Sequence, residues 1–302
     1  MIKRIFVIAI ALFIFYSVFV RFIAPVWWSA SQHQWQANTI NAEKFVFSDT
    51  NYYENVLVGS SLTTKLIRDS FPSTYSLSFG GLSIYDGLSI LTHKTRLPKN
   101  IFVEMNVALH EESKDFTDAL NSPIHYYSKS AFVSLRADKQ PIGILGTLVN
   151  SSFTERMVMK FKYRFHLTPI NSEVVNGGNS SDGLFAKMLE MQVDKYSKLP
   201  DTKFVNECFS NLKSYVNELE KKGVNFVFYE MPVAEELNNL PRAKLVRQTF
   251  YMNFPASKYE YIPIPDSGKF ETSDGLHLNK DGALKYTIYL KSKLTMPRQK
   301  KQ

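Results

Sequence analysis

The sequence is poor in residues that bind metals or form disulfides. Its single cysteine, Cys208, excludes an intramolecular disulfide and any site built from several cysteines. Cys208 falls on an apolar helix face, which predicts a core position. Apart from His277, the histidines lack the close spacing of metal ligands. We therefore expect no metal and no other cofactor. These histidines are His33, His93, His110, His125 and His166.

Acidic residues are absent from both ends of the chain. Residues 1–21 contain three basic residues and residues 291–302 contain five, and neither stretch contains Asp or Glu. These eight basic residues account for the whole formal charge of +8, so the stretch between them is neutral. A neutral central stretch gives no reason to expect a nucleic-acid groove.

One long apolar segment lies near the N-terminus. Residues 5–20 carry no charge and follow Lys3 and Arg4, and apolar residues resume after Arg21 and continue to Trp28. About 20 apolar residues are needed to cross a hydrocarbon core, and Arg21 can extend toward the interface. The basic N-terminus favours an orientation with the N-terminus inside. We expect residues 1–28 to form a single-pass anchor in the inner (cytoplasmic) membrane.

A cleaved signal peptide is the alternative interpretation of this segment. Ser29, Ala30 and Ser31 offer small residues for cleavage, but the apolar stretch is long and lacks a clear A-x-A site. Under either interpretation the rest of the chain is exported, which in a bacterium means the periplasm or the outside of the cell.

Short apolar runs alternate with segments of helical spacing through much of the remaining chain. Runs that end at Gly or Pro are typical of buried strands, and apolar residues three and four apart define helix faces. This alternation predicts an α/β fold in three layers, with a mainly parallel sheet flanked by helices. The predicted strands are 55–58, 74–79, 100–105, 224–229 and 259–264; the predicted helices follow Ser61 and cover 84–97, 205–219 and 280–294.

The chain length and patterning predict one α/β domain behind the anchor. Residues 29–50 are polar and weakly patterned, which is typical of a linker. The domain then covers 51–296, and residues 297–302 form a basic tail. Periodicity weakens over about 108–200, which predicts an insertion that could cover a substrate site. Within it, residues 171–183 are rich in turn formers.

Four polar or glycine-rich signals fall where a strand ends or near the C-terminus. Ser61 follows Gly59-Ser60, Gly81 follows Gly80, Asn106 follows the third strand, and Asp274 and His277 are spaced three apart. In an open parallel sheet, functional groups gather beyond the carboxyl ends of the strands. Segments distant in sequence can therefore meet in one site.

The residue types in these signals suit nucleophilic catalysis. A serine hydroxyl needs a neighbouring base, and the base needs a partner that fixes its tautomer. Ser61, His277 and Asp274 can supply these roles, because positions three apart on a turn entering a helix face the same side. The backbone N–H groups of Ser61 and Gly81 and the side-chain amide of Asn106 can serve as oxyanion donors. Each signal also has a structural interpretation as a cap, a turn or a strand end.

The order of the motifs resembles the SGNH (GDSL-like) hydrolase superfamily. The resemblance covers about 55–106 and 202–294 and departs from the family at two positions: Ser60 stands where aspartate is usual, and Val107 rather than aspartate follows Asn106. Gly-Ser-Ser also occurs in polysaccharide O-acetylation proteins and in D-alanyl transfer proteins of teichoic acid synthesis. The matching blocks are Gly59-Ser60-Ser61, Ser78-Phe79-Gly80-Gly81, Glu104-Met105-Asn106 and Asp274-Gly275-Leu276-His277-Leu278.

The resemblance implies that Ser61 is the nucleophile, that Asp274 and His277 complete a triad, and that Gly81 and Asn106 help to form the oxyanion hole. It favours an O-acyltransferase that acetylates a cell-surface polysaccharide and receives its acyl group through a polytopic membrane partner. The alternatives are a carbohydrate acetylesterase, a D-alanyl transfer protein and a catalytically silent scaffold in a polysaccharide export complex.

Glu230 follows a strand and is interpreted as a solvated strand end, with substrate contact as the alternative.

Overall fold

The computed structural model describes residues 2–23, 34–48, 52–141, 182–262 and 270–294. These residues divide into two compact units. The first contains the described parts of 1–47 and 118–174, and the second contains the described parts of 48–117 and 175–302. The sequence predicts one domain behind an anchor and a linker, so the grouping of part of the insertion with the N-terminal segment differs from that expectation.

The second unit is built on a parallel sheet. Within the described ranges its five strands have the order β2-β1-β3-β4-β5, and each pairs in parallel with its neighbour. The predicted α/β class with a parallel sheet flanked by helices is confirmed. The strands are β1 Asn55–Gly59, β2 Thr74–Ser78, β3 Asn100–Glu104, β4 Asn225–Tyr229 and β5 Glu260–Tyr261.

Strands β1, β3 and β4 form where short apolar runs are buried on both faces of the sheet, as parallel strands require. All five residues of β3 are buried. Gly59 at the end of β1 is in register with Ser78 at the end of β2, and Val58 is in register with Val103 of β3. The carboxyl ends of these strands therefore lie together at one edge. The strand order reverses between β1 and β3, which is where such sheets form their binding crevices.

Helices cover both faces of this sheet. On one face, Leu57 and Phe102 share a core cluster with Tyr286 and Leu290 of the last helix. On the other face, the ring of Phe228 in β4 packs 5.2 Å from the ring of Phe250. Within the described ranges of both units, the helices are α1 Ile2–Val18, α2 Gln34–Val46, α3 Ile84–Thr92, α4 Lys114–Asn121, α5 Pro123–Ala131, α6 Asp182–Ser197, α7 Thr202–Lys221, α8 Glu235–Asn238, α9 Pro241–Asn253 and α10 Lys280–Leu294.

The predicted helices at 205–219 and 280–294 are confirmed as α7 and α10, and Cys208 lies buried on the core face of α7. Two other helix predictions need correction. The helix predicted after Ser61 is replaced by two 3₁₀ turns, Thr63–Lys65 and Arg68–Ser70. The helix predicted to reach residue 97 ends at Thr92, where His93 caps it and bonds through Nδ1 to the carbonyl of Ser89.

The first unit contains the apolar N-terminal helix. The segment Ile2–Phe22 is long and apolar enough to cross a membrane, and it consists of α1 and the beginning of a π-helical turn at Phe19–Ile23. At 1.5 Å per residue, these 21 residues reach about 31 Å, which matches a hydrocarbon core. Trp27, Trp28 and the alternative cleavage site at 29–31 lie outside the described residues.

The stretch predicted as a linker contains a helix. α2 buries Ile40, Ala42 and Phe45 together with the polar residues Asn41 and Glu43. The carboxylate of Glu43 pairs with Lys129 of α5 at 2.6 Å and accepts a 2.6 Å hydrogen bond from the backbone N–H of Ala137. The polar composition that indicates a linker therefore belongs partly to a buried, satisfied network.

Candidate active site

Three side chains of the second unit form one hydrogen-bonded chain. The Oγ of Ser61 lies 2.9 Å from Nε2 of His277, and Nδ1 of His277 lies 2.7 Å from Oδ2 of Asp274. The structure thus brings the three predicted catalytic residues together from segments more than two hundred residues apart. This order of contacts is the one in which a carboxylate orients an imidazole and the imidazole receives the serine proton.

Asp274 organises the loop that carries His277. Its Oδ1 accepts hydrogen bonds from the backbone N–H of His277 at 2.7 Å and of Leu276 at 3.0 Å. The loop is closed by a 2.8 Å bond from the N–H of Ser273 to the carbonyl of His277. Gly275 adopts φ of 88°, which a side chain would strain. The sequence predicts a turn at the entrance to a helix, whereas this tight loop closes before α10 begins.

The two oxygens of Asp274 therefore have different partners. Burial by itself raises the pKa of Asp274, but the hydrogen bonds and charge of His277 and the bond from Leu276 hold that pKa below its ordinary value. The carboxylate is thus ionised at neutral pH and accepts the Nδ1 proton of His277. This fixes the tautomer in which Nε2 accepts the hydroxyl proton of Ser61. The His277 side chain is 27% exposed, so the pair is open to small molecules.

Ser61 is held by a buried network beneath its loop. Oε2 of Glu104 accepts hydrogen bonds from the backbone N–H of Ser60 at 2.8 Å and from the hydroxyl of Thr63 at 2.6 Å. The hydroxyl of Ser60 donates to Oε1 of Glu104 at 2.8 Å, and Thr63 also bonds to the hydroxyl of Tyr229. The residues on both sides of Ser61 are therefore fixed to one carboxylate at the end of β3.

The network explains why a glycine precedes Ser60. A Cβ at Gly59 would lie 2.2 Å from Oγ1 of Thr63 and 2.9 Å from Oε2 of Glu104. Real Cβ atoms do not approach so closely, so a side chain here would displace the groups that hold the loop. Sequence reasoning assigns Gly59 to a turn and gives Glu104 no role beyond the motif. The position of Glu104 at the end of an apolar run was the signal in the sequence that could have identified it.

Gly81 lies just beyond β2, at the sheet edge where Ser61 lies. Its φ of 69° is in the left-handed region, which favours glycine. Because Gly59 and Ser78 are in register, the loops that follow β1 and β2 leave the sheet side by side. The sequence prediction of a strand-end position for Gly81 agrees with this placement.

Asn106 is held rigidly beyond β3. Its Oδ1 accepts a 2.6 Å bond from the backbone N–H of Met231, and its Nδ2 donates a 2.9 Å bond to the Met231 carbonyl. An amide nitrogen carries two protons, and the bond to the Met231 carbonyl uses one of them. The two-point attachment preorganises that donor, which is the property an oxyanion hole needs.

Glu230, next to Met231, is neither a solvated strand end nor placed to contact substrate through a free carboxylate. It is buried and forms a forked pair with Arg247 of α9, with Nη2 to Oε1 at 2.6 Å and Nε to Oε2 at 2.9 Å. Arg247 also donates to the carbonyl of Asn238, and the Tyr286 hydroxyl donates to the carbonyl of Glu230 at 2.8 Å. The interpretation of Glu230 as a solvated strand end was wrong, because its partner lies 17 residues away in a helix that patterning did not predict.

Among the described residues, no group of three or more His, Cys, Asp or Glu side chains is arranged to hold a metal ion. Residues 142–181, which form the middle of the predicted cover, lie outside the described part of the chain. No model of a known protein family matches the sequence. No curated protein matches it either. The chemistry of the site therefore rests on its own geometry.

Proposed function

We propose that this chain is an exported, membrane-anchored serine O-acyltransferase of the SGNH type that O-acetylates a cell-surface polysaccharide. The observation that carries the proposal is the 2.9 Å contact between Ser61 Oγ and His277 Nε2, with Asp274 bonded to the opposite ring nitrogen. The parallel sheet agrees with the fold that the resemblance implies. The order of the motif blocks adds a second, independent line of support.

In the first half-reaction, Ser61 takes the acyl group from a donor. Its Oγ attacks the acyl carbonyl carbon while His277 Nε2 accepts the hydroxyl proton. The negative charge of Asp274 stabilises the imidazolium that results. The tetrahedral intermediate collapses as the bond to the donor's leaving group breaks, and that group takes the proton from His277. The product is an ester on Ser61.

In the second half-reaction, a sugar hydroxyl replaces the donor. His277 accepts the proton of this hydroxyl as the sugar oxygen attacks the ester carbonyl. The bond from the carbonyl carbon to Ser61 Oγ then breaks, and His277 returns the proton to Ser61. The enzyme is regenerated and the acyl group ends on the sugar as an ester. No cofactor is required in either step.

Three N–H groups are suited to the oxyanion of both intermediates. They are the backbone N–H groups of Ser61 and Gly81 and the second proton of the Asn106 amide. The attachment of the Asn106 amide to Met231 supports this role, because it holds the amide before substrate binds. Removal of one such donor in other hydrolases lowers turnover by about 10²–10³-fold.

The apolar N-terminal helix supports a reaction at a membrane. With the N-terminus inside, the catalytic unit faces the periplasm or the outside of the cell. An acyl donor from the cytoplasm must then be delivered across the bilayer, so a polytopic membrane protein is the partner that this arrangement implies. The acceptor is a polysaccharide on the outer side of that membrane.

The full-length chain in detergent micelles provides the test. After a short incubation with p-nitrophenyl acetate, intact-mass measurement should show one added acetyl group on the wild type and none on Ser61→Ala. Ser210→Ala, which removes an exposed serine on α7, is the matched control and should still acquire the group.

The fate of the adduct distinguishes the acceptors. Faster loss to an added oligosaccharide than to water supports the transferase. Rapid loss to water alone supports the acetylesterase, which uses the same residues. Preference for a D-alanyl over an acetyl ester donor would favour D-alanyl transfer. Absence of an adduct from both wild type and Ser210→Ala, with no hydrolysis, would overturn the enzyme proposal in favour of a scaffold.

A further inference from the structure

The first unit has a second apolar surface, which lies beside the apolar N-terminal helix α1. It is formed by α5 and the turn that follows it, and we call residues 123–135 the apolar arm. Ile124 and Tyr127 lie three residues apart on one face of α5 and are 79% and 71% exposed. Phe132 and Leu135 are also exposed. Single exposed apolar residues are common, but a continuous group of them indicates an interface.

The apolar arm contacts the N-terminal helix in its outer half. The ring of Phe13 packs edge-on against Phe132, with centroids 5.5 Å apart. The hydroxyl of Ser17 bonds to that of Ser134 at 2.8 Å. Just beyond the arm, the hydroxyl of Tyr16 donates to the backbone carbonyl of Lys139. These contacts fix the level of the arm along the helix.

That level lies inside the bilayer if the helix crosses it. Counting from residue 5, where the uncharged run begins, residues 13 to 17 lie about 12 to 18 Å along the helix axis. A hydrocarbon core is about 30 Å thick. Residues that contact positions 13–17 therefore cannot lie wholly in water above the membrane. The opposite side of the helix still exposes Phe15, Val18 and Phe22, so it remains free for lipid.

The charges near the apolar arm are paired in a way that suits a medium of low polarity. Lys129 lies 2.6 Å from the buried carboxylate of Glu43. Arg136 stacks on the ring of Phe47 at 4.6 Å and donates to the carbonyl of Lys129. Lys139 lies 3.7 Å from Asp138. Ionisable groups near lipid are found in such pairs.

We infer that the apolar arm lies in the outer leaflet and that Ile124, Tyr127, Phe132 and Leu135 contact lipid. The occupant of this surface is the bilayer itself, because the surface is continuous with the lipid-facing helix. The inference depends on the proposed membrane anchor. A second contact of this kind restricts rotation of the first unit about its helix, which a single anchor cannot do.

Fluorescent labelling tests this inference on the full-length chain in nanodiscs. In a Cys208→Ala background, single cysteines at Ile124→Cys and Tyr127→Cys carry an NBD label. Phe15→Cys on the membrane helix is the lipid reference, and Lys203→Cys, whose side chain is 84% exposed, is the aqueous reference. Nitroxide-bearing phosphatidylcholine quenches from the lipid side, and iodide quenches from water.

Labels at 124 and 127 should show blue-shifted emission and lose intensity to nitroxide lipid as the label at 15 does, with little loss to iodide. The label at 203 should show the reverse. If 124 and 127 behave like 203 while 15 is quenched by lipid, the arm does not enter the bilayer although the anchor stands. If nitroxide lipid does not quench the label at 15 either, both the proposed membrane anchor and the insertion of the apolar arm are wrong.

A protein partner would give a different result. Labels at 124 and 127 would then be shielded from iodide in native membrane vesicles but accessible to it in nanodiscs of pure lipid. That outcome would overturn lipid as the occupant. All the labelled positions are exposed, so thermal unfolding equal to the parent is the check that each variant is folded.

Discussion

Oε2 of Glu104 accepts a 2.8 Å hydrogen bond from the backbone N–H of Ser60, the residue immediately before Ser61. The carboxylate also accepts hydrogen bonds from the hydroxyls of Ser60 and Thr63. The acidic group beneath this loop comes from the end of β3, and the small Ser60 hydroxyl connects to it. Glu104 is therefore a positioning residue for the loop that presents Ser61.

Glu104→Gln keeps the size of the side chain but leaves only one acceptor oxygen for three donors. The loop should loosen, and a displacement of Ser61 by about 1 Å can lower the acylation rate by about 10²-fold. The rate of acetyl-adduct formation measures this effect. Glu190→Gln, an exposed glutamate on α6, is the matched control. Equal rates in the two variants would remove Glu104 from the mechanism.

The same substitution has a pH signature. Burial raises the pKa of Glu104, and the hydrogen bonds from Thr63 and Ser60 lower it only in part. A carboxyl group whose pKa is raised by folding destabilises the folded state above that pKa, and the penalty disappears below the unfolded value. The thermal midpoint of Glu104→Gln, relative to wild type, should therefore rise as pH rises through the raised pKa. A difference that is constant with pH would contradict this.

Asp274→Asn should lower the acylation rate by about 10⁴-fold, because an amide favours the wrong tautomer of His277. Asp281→Asn, an exposed aspartate in the first turn of α10, should have little effect. Folding lowers the pKa of Asp274, so its stabilising contribution is present above the ordinary aspartate value and is lost as pH falls through the lowered pKa. Wild type should lose this contribution in acid, while Asp274→Asn should lack it throughout.

Asn106→Ala should reduce acylation by about 10²–10³-fold through loss of an oxyanion donor. Asn106→Asp retains the oxygen that accepts from Met231 N–H but loses both amide protons. It should therefore be as slow as the alanine variant if the donor matters more than the attachment to Met231. Asn211→Ala, at an exposed position on α7, is the control. Full activity in Asn106→Asp would place the oxyanion donors elsewhere.

Arg247→Met leaves the carboxylate of Glu230 buried without its forked partner. Removal of one member of a buried ion pair typically destabilises a protein by about 3–5 kcal/mol. Lys222→Met breaks the exposed pair with Glu218, which should contribute about 0–1 kcal/mol. Denaturant unfolding followed by far-ultraviolet circular dichroism compares the two. A similar small loss for both variants would show that the Glu230 pair is not needed for stability.

Strands β1, β3 and β4 were predictable from sequence because each is a short apolar run close to a turn former, and a buried parallel strand needs little else. The loop residues Ser61, Asp274 and His277 were predictable because their types and order match one kind of chemistry. Their mutual distances were not, since only the register of β1, β2 and β3 brings the loops together.

The parts that sequence reasoning missed are stabilised by polar contacts between distant segments. α2 was interpreted as part of a linker because residues 29–50 are polar and weakly patterned. Its polar residues Asn41 and Glu43 are nevertheless buried, and Glu43 bonds with residues about ninety positions away. α9 went unpredicted, and with it the partner of Glu230. Pairs of this kind leave no local pattern, because each side chain alone has the composition of a solvated surface.

Because Asp274 both shapes its loop and orients His277, it should be harder to replace during evolution than Ser61. One oxygen of Asp274 folds the loop and the other orients His277, whereas the hydroxyl of Ser61 bonds to His277. Ser61 can therefore be exchanged without disturbing the loop at 273–277, and Asp274 cannot. In relatives that lose the activity but keep the fold, Ser61 should be replaced first and Asp274 should be retained. The presence of the aspartate alone is therefore poor evidence that such a relative is an active enzyme.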